Sequence, residues 1–161
     1  MEMTSDLFAW VKSMRLSEAN IVNVQFGENV HVIQPVNLYG CELSAEVFVG
    51  PFVEIQSEVK IGKGTKIQSH TFICSLVEIG CDCFVGHGVM FVNDKFSIGR
   101  PAMGDKTQWQ STKIGDRVII GSNATILPVK ICDDVVIGAG SVVTKNITEP
   151  GKYAGNPARK L

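Results

Sequence analysis

Aromatic residues are scarce in this 161-residue chain, at 7%, and so are charged ones, at 19%. No apolar run approaches the roughly 18 residues that a membrane-spanning helix requires, so no membrane partner is expected. Acidic and basic residues nearly cancel, leaving a formal net charge of −1. The basic stripe that neutralises a phosphate backbone is missing, and nucleic acid is not expected as a partner. The N-terminus lacks a basic segment followed by an apolar one, so no secretory signal is read there. The cysteine count of five is odd. Without a secretory signal, reduced thiols in the cytoplasm are the expectation. The "CDC" at positions 81–83 has no second Cys pair or His at zinc-finger spacing, so no metal is expected. Thr-x-Thr, the array an ice-binding solenoid needs, does not occur.

What the chain does have is a repeat. With 45% hydrophobic residues it can bury a core, and its length suits a single domain over 1–161. Large apolar residues recur every six positions at Phe26, Val32 and Leu38, then at Leu43, Val49, Ile55, Ile61, Ile67, Ile73, Ile79, Val85 and Phe91. They resume at Ile114, Ile120, Ile126, Ile131, Ile137 and Val143. Small or β-branched residues follow four positions after most of them, as at Val53, Thr71, Cys83 and Ala124. A helix has period 3.6 and a strand period 2, so a period of six fits a short strand plus a turn. Three such units close a triangular coil, and coils stack at the parallel-strand spacing of about 4.8 Å. The expected architecture is all-β: a parallel β-helix of about six triangular coils over residues 26–147, whose core is a set of Ile and Val ladders.

The breaks in the period carry information. Leu38 to Leu43 and Ile126 to Ile131 are one residue short, which tightens a corner. Phe91 to Ile114 is far too long. The excess, about residues 95–112, holds Gly, Pro and Trp109, and is expected as one long loop thrown from a corner. Open coil ends need covering. Residues 1–22 are expected as an N-terminal cap, with Leu7, Val11 and Met14 on one face of a short helix. Residues 148–161 are expected as a C-terminal tail, extended or turning, that leaves the prism.

One stretch, "IGCDCFVGHGVMFVND" at 79–94, sets a histidine between two glycines in the midst of the repeat. His87 stands two positions past Val85, at an outward corner. Adding or subtracting coil lengths aligns it with Ser69 below, beside His70, and with Ser122 and Ala139 above. Asn93 is two positions past Phe91, at the next corner of the same coil. A corner histidine is either simply solvated or faces a ligand. Gly86 and Gly88, read as room for a ligand to approach, and the nearby loop favour the second. His70 has less support, and His31 reads as surface.

The motifs "VEIGCDCFVGHGVMFVND", "IGSNATILPVKICDDVVIGAGSVVTKNI" and "GNPAR" resemble the hexapeptide-repeat acyltransferases. The resemblance implies a left-handed β-helix, a homotrimer with sites at subunit interfaces, and acetyl-CoA as co-substrate. "GHGVMFVND", the excursion with Trp109 and Thr112, and "IGSNATIL" resemble the branch that N-acetylates nucleotide-linked (dTDP or UDP) amino-deoxy sugars for surface glycans such as lipopolysaccharide. The loop sequence "SIGRPAMGDKTQ" matches no particular substrate.

The chemistry so implied is acyl transfer from a thioester to an amine. His87 suits removal of the amine proton, and Asn93 suits orienting the amine or a water. The resemblance implies a CoA groove toward the C-terminal coils, near Gly121, Ser122, Ala139, Thr144, Lys145 and Arg159, with Lys145 and Arg159 at phosphates. Backbone N–H groups at Gly121 and Ser122 suit an oxyanion. The acceptor then lies near Gln68, His70 and Asp94, with Trp109 free to stack on a base or sugar. None of the thiols is needed. Competing readings are another hexapeptide O- or N-acyltransferase, a β-helical carbonic anhydrase, for which His31 is too far from His70, and a non-catalytic scaffold.

Overall fold

The computed structural model describes residues 20–161, and the expected N-terminal helix lies outside them. Two- and three-residue strands follow one another in threes around a prism, and each pairs in parallel with the strand one coil away. The first face has seven strands, from Ile21–Val22 to Val142–Val143. The second has six, from Gln25–Phe26 to Lys130–Ile131. The third has eight, beginning at His31–Val32. The prism therefore starts one strand earlier than Phe26 suggests, with Ile21 in register with Leu38.

The large position of the repeat is the inward centre of each strand. Leu38, Ile55, Ile73, Phe91, Ile126 and Val143 form the ladder of the first face, and all are buried. The small position is buried too, because it turns inward just after a corner: Val47, Val53, Cys83, Val89 and Ala124 are examples. Where a threonine takes this position its hydroxyl is satisfied by the adjacent coil. Thr65 Oγ1 donates to the Gly80 carbonyl at 2.8 Å, and Thr71 Oγ1 to the Gly86 carbonyl at 2.9 Å. Corners demand a left-handed residue, supplied by Asn29, Asp82, Asn123, Asp134, by Gly64, Gly88 and Gly140, and also by Glu46, Phe52, Glu58, His70, Leu76 and Arg117. Phe26, at the first end of its ladder, remains exposed.

The interval between large positions is six at every second–third and third–first corner from Phe26 to Val143. Every irregular interval falls on the first–second corner. It is shortened after Ile21, Leu38 and Ile126, and expanded into the long loop after Phe91. The strand resumes at Thr112–Ile114, and Thr112 takes the inward small position opposite Val77. The tail turns but does not leave the prism. Gly151–Ala154 adds in parallel to Val135–Ile137, and Arg159–Lys160 returns antiparallel to it. The reason is the unpaired edge of Val135–Ile137, which this hairpin covers.

Candidate functional site

The corner between the third and first faces carries the expected column. The Ser69 carbonyl accepts from Gly88 N–H at 3.0 Å, the His87 carbonyl from Asn123 N–H at 2.8 Å, and the Ser122 carbonyl from Gly140 N–H at 2.9 Å. These bonds stack Ser69, His87, Ser122 and Ala139 one above another. The His87 side chain is exposed, and its Nδ1 lies 2.9 Å from Ser69 Oγ. With Nδ1–H donating to Ser69, the Nε2 lone pair is the free one. Thr71 fixes the peptide from the other side through the Gly86 carbonyl. Neither Ser69 nor Thr71 was among the expected site residues, although aligning coils by residue number exposes Ser69.

The two glycines around His87 have a different purpose from the ligand room expected of them. A Cβ on Gly86 would lie 2.7 Å from the Ser122 nitrogen, and one on Gly88 would collide with Asn123 Oδ1. Gly86 lets the coils stack, whereas Gly88 meets only a side-chain tip and serves the turn through its φ of +67°. Gly121 is likewise closed against Ala139, and its N–H donates to the Ile137 carbonyl at 2.8 Å. Ser122 N–H makes no hydrogen bond among the described residues, so of the two candidate oxyanion donors only Ser122 is unspent.

Asn93 stands at the other edge of the first face, not in the His87 column. Its Nδ2 donates to the Ser75 carbonyl at 3.2 Å, and its carbonyl accepts from Gln110 N–H at 2.9 Å. Asp94 is committed to the loop: Oδ1 accepts from Phe96 N–H at 2.8 Å and Oδ2 from Ala102 N–H at 2.7 Å. Together they form a closed neck from which the loop hangs. Lys106, in the short helical turn Lys106–Gln108, reaches Glu58 Oε1 of its own chain at 2.8 Å. Trp109 is half-buried, with Lys106 Nζ 6.0 Å from its ring centre. The loop thus lies down its own first–second corner, with Phe96, Ile98 and Met103 exposed.

Gln68 and His70 flank Ser69, Gln68 half-buried and His70 exposed, with the His70 ring centre 4.9 Å from that of Phe52. His31 meets the edge of Phe48 instead. The residues expected to hold CoA divide. Gly121, Ser122 and Ala139 continue the His87 column. Lys145 stands two past Val143 on the first–second corner, next to Thr144. Lys145 and Arg159 nevertheless share an open cleft of about 290 Å³ at the C-terminal end of the prism, with Tyr153 and Lys160. Lys160 is paired with Glu149 at 2.7 Å, which leaves Lys145 and Arg159 as the cations without a carboxylate partner there among the described residues.

Three of the five thiols, those of Cys41, Cys74 and Cys83, are buried. Burial pushes Cys41 up to about 11 and Cys74 to about 12, and Cys83 upward as well. A thiol so shifted is a poor nucleophile near neutral pH. Cys83 is buried at the inward small position and Cys81 sits half-buried at a corner. Among the described residues no three His, Cys, Asp or Glu side chains cluster as metal ligands, and no helix is long and apolar enough to cross a membrane.

Comparison with known proteins follows this geometry. A family profile described as the hexapeptide repeat of succinyl-transferase matches residues 111–145. The bifunctional protein GlmU of Acinetobacter baylyi is 36% identical over 125 residues, covering 76% of this chain and 25% of GlmU. The chain thus spans about a quarter of the length of the curated relatives it matches. Among solved structures, a hexapeptide transferase family protein from Anaplasma phagocytophilum superposes with a TM-score of 0.69 at 15% identity, over 86% of this chain and 77% of that one. A mutant of perosamine N-acetyltransferase from Caulobacter crescentus, in complex with CoA and GDP-perosamine, gives 0.60 at 18% identity, over 89% and 57%. At these identities the two structures establish the shared fold.

Proposed function

We propose that this chain, a parallel β-helix built on a six-residue repeat, is an acetyl-CoA-dependent N-acetyltransferase acting on a nucleotide-linked amino-deoxy sugar for surface glycans. The observation that carries the reading is the exposed His87, oriented through Nδ1 by Ser69 beneath an unspent Ser122 N–H. The solved relative that holds CoA together with GDP-perosamine supports the choice of co-substrate and acceptor class.

In this reading Ser69 Oγ holds the Nδ1–H of His87, so Nε2 takes a proton from the acceptor amine as its nitrogen bonds to the thioester carbonyl carbon. Ser122 N–H donates to the oxygen that gains negative charge. When the C–S bond breaks, His87 returns its proton to the departing sulfur, and the products are an N-acetyl sugar and CoA. Lys145 and Arg159 hold phosphates of CoA in the end cleft. Asn93 and Asp94 act through the loop neck, and Trp109 and Gln68 line the acceptor side.

The active form is proposed to be a homotrimer in the cytoplasm. The support is the exterior of the third face, where Phe84 and Ile119 stand in register with Val136 and are 39% and 45% exposed. A contiguous outward apolar row of this kind marks an interaction surface. A second prism against it would supply the other wall that a single corner lacks.

The test is a pH–rate profile of His87→Asn against a panel of nucleotide-linked amino sugars. The fold should survive, since the side chain is exposed. The expected loss in kcat is about 10²–10⁴-fold, shrinking as pH rises and the amine deprotonates unaided, with CoA binding unchanged. A variant with near-normal kcat across the profile would return His87 to a solvated corner.

A further inference from the structure

We infer that Phe52 is the platform on which the base of the acceptor nucleotide stacks, a subsite two coils below His87. The inference rests on the proposed transfer to a nucleotide-linked sugar and assigns where the nucleotide end is held.

Phe52 is costly at its position on two counts. It is 58% exposed, so its ring contributes little to the core. It also occupies a left-handed corner with φ of 61°, a conformation that does not favour a bulky side chain, although Glu46, Glu58, Leu76 and Arg117 adopt it at other corners. A large aromatic side chain gains neither burial nor backbone preference there. What it gains is a stack: the His70 ring covers it from the coil above at 4.9 Å, tilted by 31°. His70 holds the same strained geometry, with φ of 63°. Below Phe52 lies a shallow recess of about 250 Å³, lined by Pro35, Val36, Asn37, Val53 and Glu54. Its floor is apolar and its rim polar.

The rim selects the ligand chemistry. Glu54 Oε1 accepts from Gln56 Nε2 at 3.1 Å and lies 3.5 Å from Tyr39 Oη, which fixes the carboxylate. Its Oε2 makes no hydrogen bond among the described residues. A half-buried acceptor therefore stands beside the half-buried Asn37 amide at the edge of an aromatic face. A flat heterocycle with an N–H donor and a carbonyl on its edge, as in uracil, thymine or guanine, fits this set. Phe52 shares its column with Gly88, the neighbour of His87. Two coil spacings of roughly 4.8 Å separate them, about 10 Å in all, which a ribose and diphosphate can bridge.

Titration calorimetry of UDP, dTDP and GDP into the full-length protein tests this, run with and without saturating acetyl-CoA to separate the subsite from any that accepts CoA's own adenine. At least one of the three should bind in both conditions. Phe52→Ala should weaken it roughly tenfold to a hundredfold, Phe52→Trp should hold it near the wild-type value, and acetyl-CoA affinity should not move. Sedimentation of each variant accompanies the titration. Equal nucleotide affinity in Phe52→Ala, loss of nucleotide binding on adding acetyl-CoA, no binding of any of the three to the wild type, or a change of oligomeric state in Phe52→Ala would each overturn the assignment. The two readings fail separately. Nucleotide binding that depends on Phe52 without acetyl transfer leaves the subsite and removes the activity. Transfer to a nucleotide-linked sugar with Phe52→Ala unimpaired does the reverse.

Discussion

Two corners of the same prism follow opposite rules. At the third–first corner every interval is six, and the residues stack so closely that Gly86 and Gly121 admit no Cβ. At the first–second corner the interval is short at some coils, and at one it opens into the long loop. The core ladders on either side do not differ. The difference lies in what each corner must do. The regular corner holds Ser69, His87 and Ser122 in one line, and a displaced coil would break that line. The irregular corner carries the loop and its neck, and the interval varies there without moving the ladders. The regular corner keeps its column in line, and the variation in length is confined to the corner that carries the loop.

The sharpest way to break this contrast is insertion. One alanine between Ser69 and His70 would disrupt the tight stack under His87 and should remove about 3 kcal/mol or more, with activity lost. One alanine between Pro128 and Val129 restores the full interval seen in other coils and should cost about 1 kcal/mol, a Tm change of a few degrees. Equal losses in thermal melts of the two insertions would erase the distinction.

A glycine pair sharpens it with smaller effects. Gly86→Ala puts a methyl 2.7 Å from the Ser122 nitrogen, which is backbone and cannot swing away. The expected cost is about 1–3 kcal/mol, and the shifted Ser122 should also lower kcat. Gly99→Ala, in the loop, has nothing within 4 Å of the new methyl and pays only for its φ of +74°. That cost is about 1 kcal/mol, with kcat retained. Denaturant melts and initial rates of both variants decide the matter; a Gly86→Ala enzyme as stable and active as Gly99→Ala defeats the claim of close tolerance.

The smallest effect belongs to the tie between loop and prism. Lys106 and Glu58 meet at 2.8 Å, but both side chains are more than half exposed. Such a pair contributes at most about 0.5–1 kcal/mol and is screened by salt. Lys106→Ala should leave Tm within a degree or two in 0.15 M salt. A larger drop would mean that the loop is integral to the prism.

The sequence made the interior legible because a strict period of six has one geometric solution, and Ile67, Val85 and Ile120 took their inward places. It also aligned Ser69, His87 and Ser122, which the corner hydrogen bonds bear out. Ile21–Val22 escaped because its interval to Phe26 is short, so the strict period of six begins only at Phe26. The role of Gly86 was misjudged because glycine serves both open and crowded backbone, and only coordinates distinguish them. Asp94 looked like a ligand residue for a similar reason. Nothing in "ND" followed by a loop says that both carboxylate oxygens turn back onto Phe96 and Ala102. The tail carried only turn signals, while its docking answers an unpaired strand edge about one coil earlier in the chain.

The closed neck formed by Asn93, Asp94 and Gln110 has a consequence for how such a molecule diversifies. Everything between the neck residues is an exchangeable cassette. It can lengthen, shrink or change its apolar tip without moving the coil beneath, because the neck is closed by the Gln110 N–H on the Asn93 carbonyl and by the Asn93 and Asp94 side chains. Under the proposed transfer, a lineage carrying this scaffold would vary the loop at one point of the chain while inheriting the His87 column unaltered.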